Sequence, residues 1–290
     1  MRSEKEMMDL ILNTAIANDN IRIVELNGSR VHDRSKRDPF QDYDVIYYVN
    51  DMWVFLKDHS WVNDFGERIL MQMPDQMIIM SGEEKRHCFA YLMLFTDGNR
   101  IDLTLTPITF LEESLKREES RKILLDKDNR LDTNQKVTMD PFLISRPGQK
   151  EFCDCSNEFW WVSTYIAKAL WREELTLAKQ LMEGPVRDML MKLVGWHIGV
   201  RTEFTVSSGK GGKYIQEYVE SGIWDKLVLT YPDGQYENIW KALFDMGDLF
   251  DELTIEVGKA LDFDLPDDAS KVRPYLHRIH KLPEDCKKLY

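Results

Sequence analysis

Ile21-Arg22-Ile23-Val24-Glu25-Leu26-Asn27-Gly28-Ser29-Arg30, with Asp42-Tyr43-Asp44-Val45-Ile46-Tyr47-Tyr48-Val49 beginning twelve positions after Arg30, is the stretch that decides how this chain is read. The β-branched apolar alternation from Ile21 to Leu26 is that of a half-buried strand, and Asn27-Gly28-Ser29 breaks it with a residue that turns tightly. In the second run the strand period of two puts Asp42, Asp44, Ile46 and Tyr48 on one face. Two carboxylates therefore point the same way.

Side by side, two acids repel each other and are costly to desolvate unless a cation or strong donors sit between them. Mg²⁺ is an economical answer, because it takes one or two carboxylates and completes its shell with water and phosphate oxygens. The Gly28-Ser29 turn supplies the complementary part: free backbone N–H groups and a hydroxyl at a strand end make a small anion-binding concavity. Alone, a Gly-Ser step or an Asp-x-Asp step is an ordinary turn or a solvated strand end. A third acid changes the balance. In Arg100-Ile101-Asp102-Leu103-Thr104-Leu105 the apolar residues alternate with Asp102 and Thr104, which sets Asp102 on the polar face of another strand.

Gly28-Ser29, Asp42-x-Asp44 and a strand-borne Asp102 resemble the pattern of the nucleotidyltransferase superfamily that includes DNA polymerase β. A narrower likeness is carried by Leu26-Asn27-Gly28-Ser29-Arg30-Val31, Phe40-Gln41-Asp42-Tyr43-Asp44, Phe65-Gly66-Glu67-Arg68-Ile69 and Gly98-Asn99-Arg100-Ile101-Asp102-Leu103-Thr104-Leu105. These runs look like the aminoglycoside 6-adenylyltransferases, the streptomycin-modifying branch, and the likeness extends through Gly195-Trp196-His197-Ile198-Gly199 and beyond. The resemblance implies an α+β fold: an N-terminal polymerase β-like domain with a mixed sheet, followed by an all-helical C-terminal domain. It implies transfer of AMP from ATP, with Mg²⁺, to a hydroxyl of an aminoglycoside (the 6-position of streptomycin), releasing diphosphate.

At 290 residues the chain is long enough for two domains, each with its own core. No apolar run approaches the length of a membrane span, and Met1-Arg2-Ser3-Glu4-Lys5-Glu6 lacks the order of a secretion signal, so a cytoplasmic protein is expected. Cys88, Cys153, Cys155 and Cys286 are too few and too irregular for a disulfide framework, and Cys153-Asp154-Cys155 has no partner pair at zinc spacing. The formal charge of −12 argues against a nucleic-acid partner and suits a small cationic substrate.

Ser3 and Glu6 form a capping-box signature, and Met8, Ile11, Leu12, Ala15 and Ile16 fall on one helical face. Residues 31–39 read as a helical turn and a basic loop, in which Arg34, Lys36 and Arg37 are as well explained by solvent as by phosphate. Trp53 to Leu56 is helical, Ile69 to Met73 a strand, and Met71, Met73, Met77 and Met80 gap-filling core, with a polar connection over 81–86. His87 and Cys88 read as packing residues. Asp97-Gly98 is a hairpin signal between Tyr91–Phe95 and Arg100–Thr106. A charged helix is expected from Leu111 to Leu125. Arg146-Pro147-Gly148 marks a boundary, giving a catalytic domain over 1–147 and a helical domain over 148–290.

The second domain reads as helices over 157–179, 185–200, 212–222, 237–261 and 270–280. On the first of these, Phe159, Val162, Ile166 and Ala169 are an apolar stripe, whereas Glu158, Trp161, Tyr165, Lys168 and Arg172 form a second stripe of acid, aromatics and bases. Related nucleotidyltransferases reach the triphosphate with a lysine on such a helix, and Lys168 matches that role; an ordinary surface lysine is the plain alternative. Ser207-Ser208-Gly209-Lys210-Gly211-Gly212-Lys213 fails the Walker pattern, because neither Gly-Lys is followed by Ser or Thr. His197 reads as a satisfied core histidine.

The expected roles follow. Asp42 and Asp44 hold the metal, Gly28, Ser29 and Arg30 hold the outer phosphates, and Asp102 is metal ligand or general base, with Glu67, Glu158 and Glu173 as other candidate bases. Another antibiotic or a protein side chain is the alternative acceptor, and a non-catalytic nucleotide-binding scaffold is the reading from a different class. A monomer and a homodimer are both compatible with the sequence.

Overall fold

The structure, a computed structural model, describes residues 1–32, 35, 37–80, 87–117, 120–131, 136–137 and 140–288. Two compact units divide the chain, Met1–Pro141 and Phe142–Tyr290. Residues 142–147 group with the second unit, where Leu143 bridges Ser207 and the Ile144 N–H donates to Val206 O at 3.1 Å.

The first unit begins with α1 (Glu4–Ala17), capped as its sequence predicts: Ser3 Oγ accepts from the Glu6 N–H while the Glu6 carboxylate accepts from the Ser3 N–H. Its buried residues are Met7, Ile11 and Ala15, spaced by four. The helix is thus rotated from the expected face, and Ile16 is exposed. At the other end the Lys127 ammonium donates to the carbonyls of Ala15, Ile16 and Asn18, satisfying acceptors that a helix terminus leaves open.

The strands are β1 (Ile21–Asn27), β2 (Tyr43–Val49), β3 (Arg68–Gln72), β4 (Phe89–Phe95), β5 (Arg100–Pro107), β6 (Arg121–Asp126) and β7 (Lys136–Val137). The short α2 (Trp53–Leu56) follows β2 and α3 (Leu111–Ser114) follows β5. The strands form one mixed sheet in the order β3-β4-β5-β2-β1-β6-β7, in which, among the described residues, only β2 and β5 pair in parallel. Tyr43, Val45 and Tyr47 point from one face into the core with α1, where Tyr47 Oη donates to Ile11 O. Ile46 and Tyr48 point to the other face with Ile23, Leu111 and Ile123. The period read from sequence is therefore the one used.

Two expectations in this unit are corrected. Asp42 precedes β2 rather than opening it. The helix expected over 111–125 stops at Ser114, and Arg121 to Asp126 becomes β6. The open edge of β1 decides this, because β6 satisfies its backbone groups and brings Ile123 onto Ile23 and Ile46. Ile69 and Leu70 stand on the edge strand β3 and are exposed. The Asp97-Gly98 turn joins β4 to β5 as read, with Gly98 at φ +85°. His87 stacks on Phe110 with ring centroids 4.2 Å apart. Met71 and Met73 pack against the α1 core. Arg34, Lys36, the Met80 side chain and the connection 81–86 lie outside the described residues.

The second unit is helical: α4 (Gln149–Trp171), α5 (Leu175–Leu181), α6 (Arg187–Arg201), α7 (Ile215–Tyr218), α8 (Ser221–Leu229), α9 (Tyr236–Leu261) and α10 (Asp268–His280). Along α9, Ile239, Leu243, Met246, Phe250, Leu253 and Val257 recur at alternating steps of four and three and are all buried. Phe159 of α4 stacks on Phe250 with centroids 3.8 Å apart. The first helix starts eight residues before the expected Asn157 and ends early, because Glu173 turns left-handed at φ +59°. The helix expected over 212–222 is two short helices, broken where Val219 is extended. Cys155 lies in α4, and burial pushes its thiol up to about 12. Among the described residues no helix is long and apolar enough to cross a membrane.

Candidate active site

The site is built where β1, β2 and β5 meet. Asn27, the last residue of β1, pairs with Asp44 of β2, and Asp44 pairs with Asp102 in the parallel register of β2 and β5. Residues in register on neighbouring strands share a sheet face with about 4.8 Å between strands, so Asp44 and Asp102 are close neighbours.

The chain leaves β1 through a single turn, Gly28–Arg30, in which the N–H groups of Val31 and His32 donate to Gly28 O. Gly28 adopts φ +68°, and a Cβ there would stand 2.9 Å from Asp44 Cγ and closer still to its Oδ2. Glycine is thus required twice, for the left-handed backbone and for the close approach of the carboxylate. Gln41 Nε2 donates to Ser29 Oγ at 3.3 Å and ties the turn to the segment that carries Asp42.

Arg30 completes that tie. Its Nε donates to Asp42 O at 3.0 Å, its Nη2 donates to Gln41 O at 2.7 Å, and its guanidinium lies 3.7 Å from the centre of the Tyr43 ring. The side chain is only 9% exposed; two of its five N–H donors are spent on the backbone before β2, and Nη1 stands 3.4 Å from Glu4 Oε2. Arg37 Nη2 in turn donates to Arg30 O. A cavity of about 490 Å³ opens beside Arg30, lined among others by Arg2, Glu4, Arg37 and Tyr43. None of the three acids lines it.

Arg100, two residues before Asp102 on β5, shares its face. It grips Asp102 with both arms of its fork, Nε to Oδ1 and Nη2 to Oδ2, each at 2.7 Å. Its Nη1 stands 3.7 Å from Asp42 Oδ2. Burial pushes the Asp42 carboxyl above its ordinary range; Arg100 opposes that, the Asp102 charge adds to it, and Arg30 opposes it. On the opposite strand, Asn27 is buried and its Oδ1 has no hydrogen-bond partner among the described residues.

Among the described residues no three His, Cys, Asp or Glu side chains converge into a ready-made cage for an ion. The donor set nevertheless suits Mg²⁺. It is made of hard oxygens, with the orphaned Asn27 Oδ1 opposite Asp44, Gly28 cut back so that the Asp44 carboxylate can lie against the turn, and a cation of the protein's own between Asp42 and Asp102. One or two of these carboxylates with phosphate oxygens make a Mg²⁺ shell.

The family model for streptomycin adenylyltransferase matches residues 1–279. The chain belongs to this family. It is 39% identical over 281 residues to an aminoglycoside 6-adenylyltransferase of Campylobacter jejuni, covering 97% of each chain. A second aminoglycoside 6-adenylyltransferase, from Bacillus subtilis, is 38% identical over 97% of this chain and 99% of its own. The crystal structure of an aminoglycoside 6-adenyltransferase from Bacillus subtilis aligns over 97% of this chain and all of its own at 36% identity, with a TM-score of 0.49.

In this member of the streptomycin adenylyltransferase family the second unit carries the polar stripe expected on α4. Trp161 is 58% exposed and Tyr165 38%, so neither is core. Trp161 Nε1 donates to Tyr165 Oη at 2.8 Å, and Lys168 Nζ lies 4.3 Å from the centre of the Tyr165 ring. The three form a ladder along the helix, with exposed Glu158 and Arg172 at its ends. His197 is buried between two carboxylates, Nε2 facing Glu220 and Nδ1 facing Glu256, each at 3.2 Å. Glu67 immediately precedes β3, which β4 separates from the strand of Asp102, and Glu173 is the left-handed residue after α4. Residues 210–212 form a single turn between glycines of positive φ.

Sequence reasoning passed over Asn27, Gln41 and Arg100. For Arg100 a signal existed: a base two positions before an acid on a strand puts opposite charges on one face.

Proposed function

We propose that this chain transfers AMP from ATP to a hydroxyl of an aminoglycoside, the 6-position of streptomycin, with release of diphosphate. The observation that carries this reading is its likeness, across 97% of the chain, to relatives named aminoglycoside 6-adenylyltransferase. The register that sets Asp44 beside Asp102, at the foot of a glycine turn, supports it from the side of the chemistry.

Asp42 and Asp44 are the metal ligands in this reading, and Asp102 either joins them or accepts the proton of the attacking hydroxyl. When bound, Mg²⁺ supplies charge neutralisation on the phosphates and polarises the α-phosphorus. The N–H groups and hydroxyl of the Gly28-Ser29 turn hold the outer phosphates so that diphosphate leaves in line. Arg30 serves this turn from behind, fixing the carbonyls of Gln41 and Asp42, and Lys168 is assigned to the triphosphate by its likeness to the helix lysine of related nucleotidyltransferases. Streptomycin carries guanidinium groups, which pair with carboxylates in bidentate fashion, and the acidic balance of the chain suits such a substrate. The reaction is assigned to the cytoplasm, where ATP is supplied.

The test is release of pyrophosphate from ATP and Mg²⁺ with streptomycin, run beside kanamycin. Asp44→Asn and Asp102→Asn should each slow release by about a thousandfold, the equivalent of several kcal/mol of charge stabilisation. Unchanged turnover in Asp44→Asn would remove the metal-site assignment, unchanged turnover in Asp102→Asn would remove both roles given to Asp102, and turnover with kanamycin alone would remove the acceptor.

A further inference from the structure

Arg100 is the one basic side chain in direct hydrogen-bond contact with Asp102 among the described residues. Both Asp102 oxygens accept from it, and its third nitrogen faces Asp42 at 3.7 Å. A planar guanidinium matches a carboxylate edge to edge, which makes this the strongest arrangement the two groups have. The repulsion between Asp42 and Asp102 is thereby relieved by the protein itself.

We propose that Arg100 is a resident cation that competes with the divalent ion: its guanidinium occupies the place between Asp42 and Asp102 that the ion needs, and it must leave before the ion is held. This rests on the metal-site reading given above, in the form in which Asp102 joins Asp42 as a ligand. A divalent ion shared by these acids would draw on the oxygens that Arg100 already engages. It would also stand a few ångströms from a guanidinium of the same sign, which disfavours simultaneous occupancy. The departure is open to Arg100 because its side chain is 41% exposed, whereas Asp102 is 21% exposed and stays in its strand. Arg100 thus sets how tightly the site takes metal and keeps Asp42 and Asp102 compensated when none is held.

The experiment is Mn²⁺ binding to the full chain without ATP or acceptor, followed by electron paramagnetic resonance of the free ion, so that its result does not depend on AMP transfer. Arg100→Gln should bind Mn²⁺ about tenfold more tightly than wild type, a difference of about 1.4 kcal/mol. Arg100→Lys keeps the charge but loses the fork, and should also bind more tightly than wild type. Adding Asp102→Asn to Arg100→Gln should reverse the gain. An Arg100→Lys affinity equal to wild type would mean that net charge alone matters and would overturn the proposal. Equal affinities in wild type and Arg100→Gln would overturn it too, while a lower affinity in Asp102→Asn would leave the metal site standing. Absence of Mn²⁺ binding in every variant would sink the site and the proposal together.

Discussion

Replacing Gly28 by alanine adds one methyl group to the turn after β1 and tests the geometry at its tightest point. Gly28 sits at φ +68°, where a side chain costs about 1–2 kcal/mol. The new Cβ would stand 2.9 Å from Asp44 Cγ and closer to Oδ2. Ordinary contact needs about 3.5 Å or more, so the carboxylate must retreat on the order of 1 Å once both atoms are counted. Misplacing a reacting group by that much costs about a hundredfold in rate. Gly28→Ala should therefore unfold in urea with about 1–2 kcal/mol less stability, read by tryptophan fluorescence. Its pyrophosphate release should fall by about a hundredfold, far beyond what the lost stability explains at a temperature where the variant is folded. In the double variant with Asp44→Asn, the losses should fall short of multiplying, because both act on one carboxylate. Wild-type turnover in Gly28→Ala, or fully multiplicative losses, would refute the reasoning.

Arg30→Lys keeps a positive charge but gives up the paired bonds to Gln41 and Asp42 carbonyls. It should cost about 1–3 kcal/mol of stability and lower kcat with little change in KM for ATP, whereas a large rise in KM would return Arg30 to the triphosphate. The N-terminus offers a pH test. Bonding to Arg2 holds the Asp97 carboxyl well below the usual range, with Asn99 adding to it, and Arg2 also donates to Phe65 O. A depressed folded pKa means stabilisation that is complete above the unfolded value, about 4, and is lost as pH falls below it. The stability gap between wild type and Asp97→Asn should thus be widest near neutral pH and narrow progressively as pH falls from about 4, as urea midpoints would measure; a gap constant with pH would contradict the ion pair.

Much of the site was legible because its grammar is local. A strand that breaks at Asn27-Gly28-Ser29, two acids at strand period and a third on an alternating strand are each patterns confined to a few consecutive residues. The capping box of Ser3 and Glu6, the Asp97-Gly98 hairpin and the steps of three and four along α9 are legible for the same reason: period and turn chemistry act over one or two turns of chain.

What the tertiary structure alone decided involves partners distant in sequence. Arg121 to Asp126 carries residues compatible with helix, and it is a strand because β1, about a hundred residues earlier, has an edge to pair. Arg30 reads as a phosphate ligand by its place after Gly28-Ser29, yet twelve residues of chain return to put two carbonyls and the Tyr43 ring against it. Asp44 and Asp102 are 58 positions apart, and only the parallel pairing of β2 and β5 makes them neighbours. Sequence by itself picked out the candidate acids and the glycine turn, because residue type and spacing set charge and face. Which charges neutralise which was left to the fold, because Coulomb and hydrogen-bond energies depend on distances that close only when the sheet assembles.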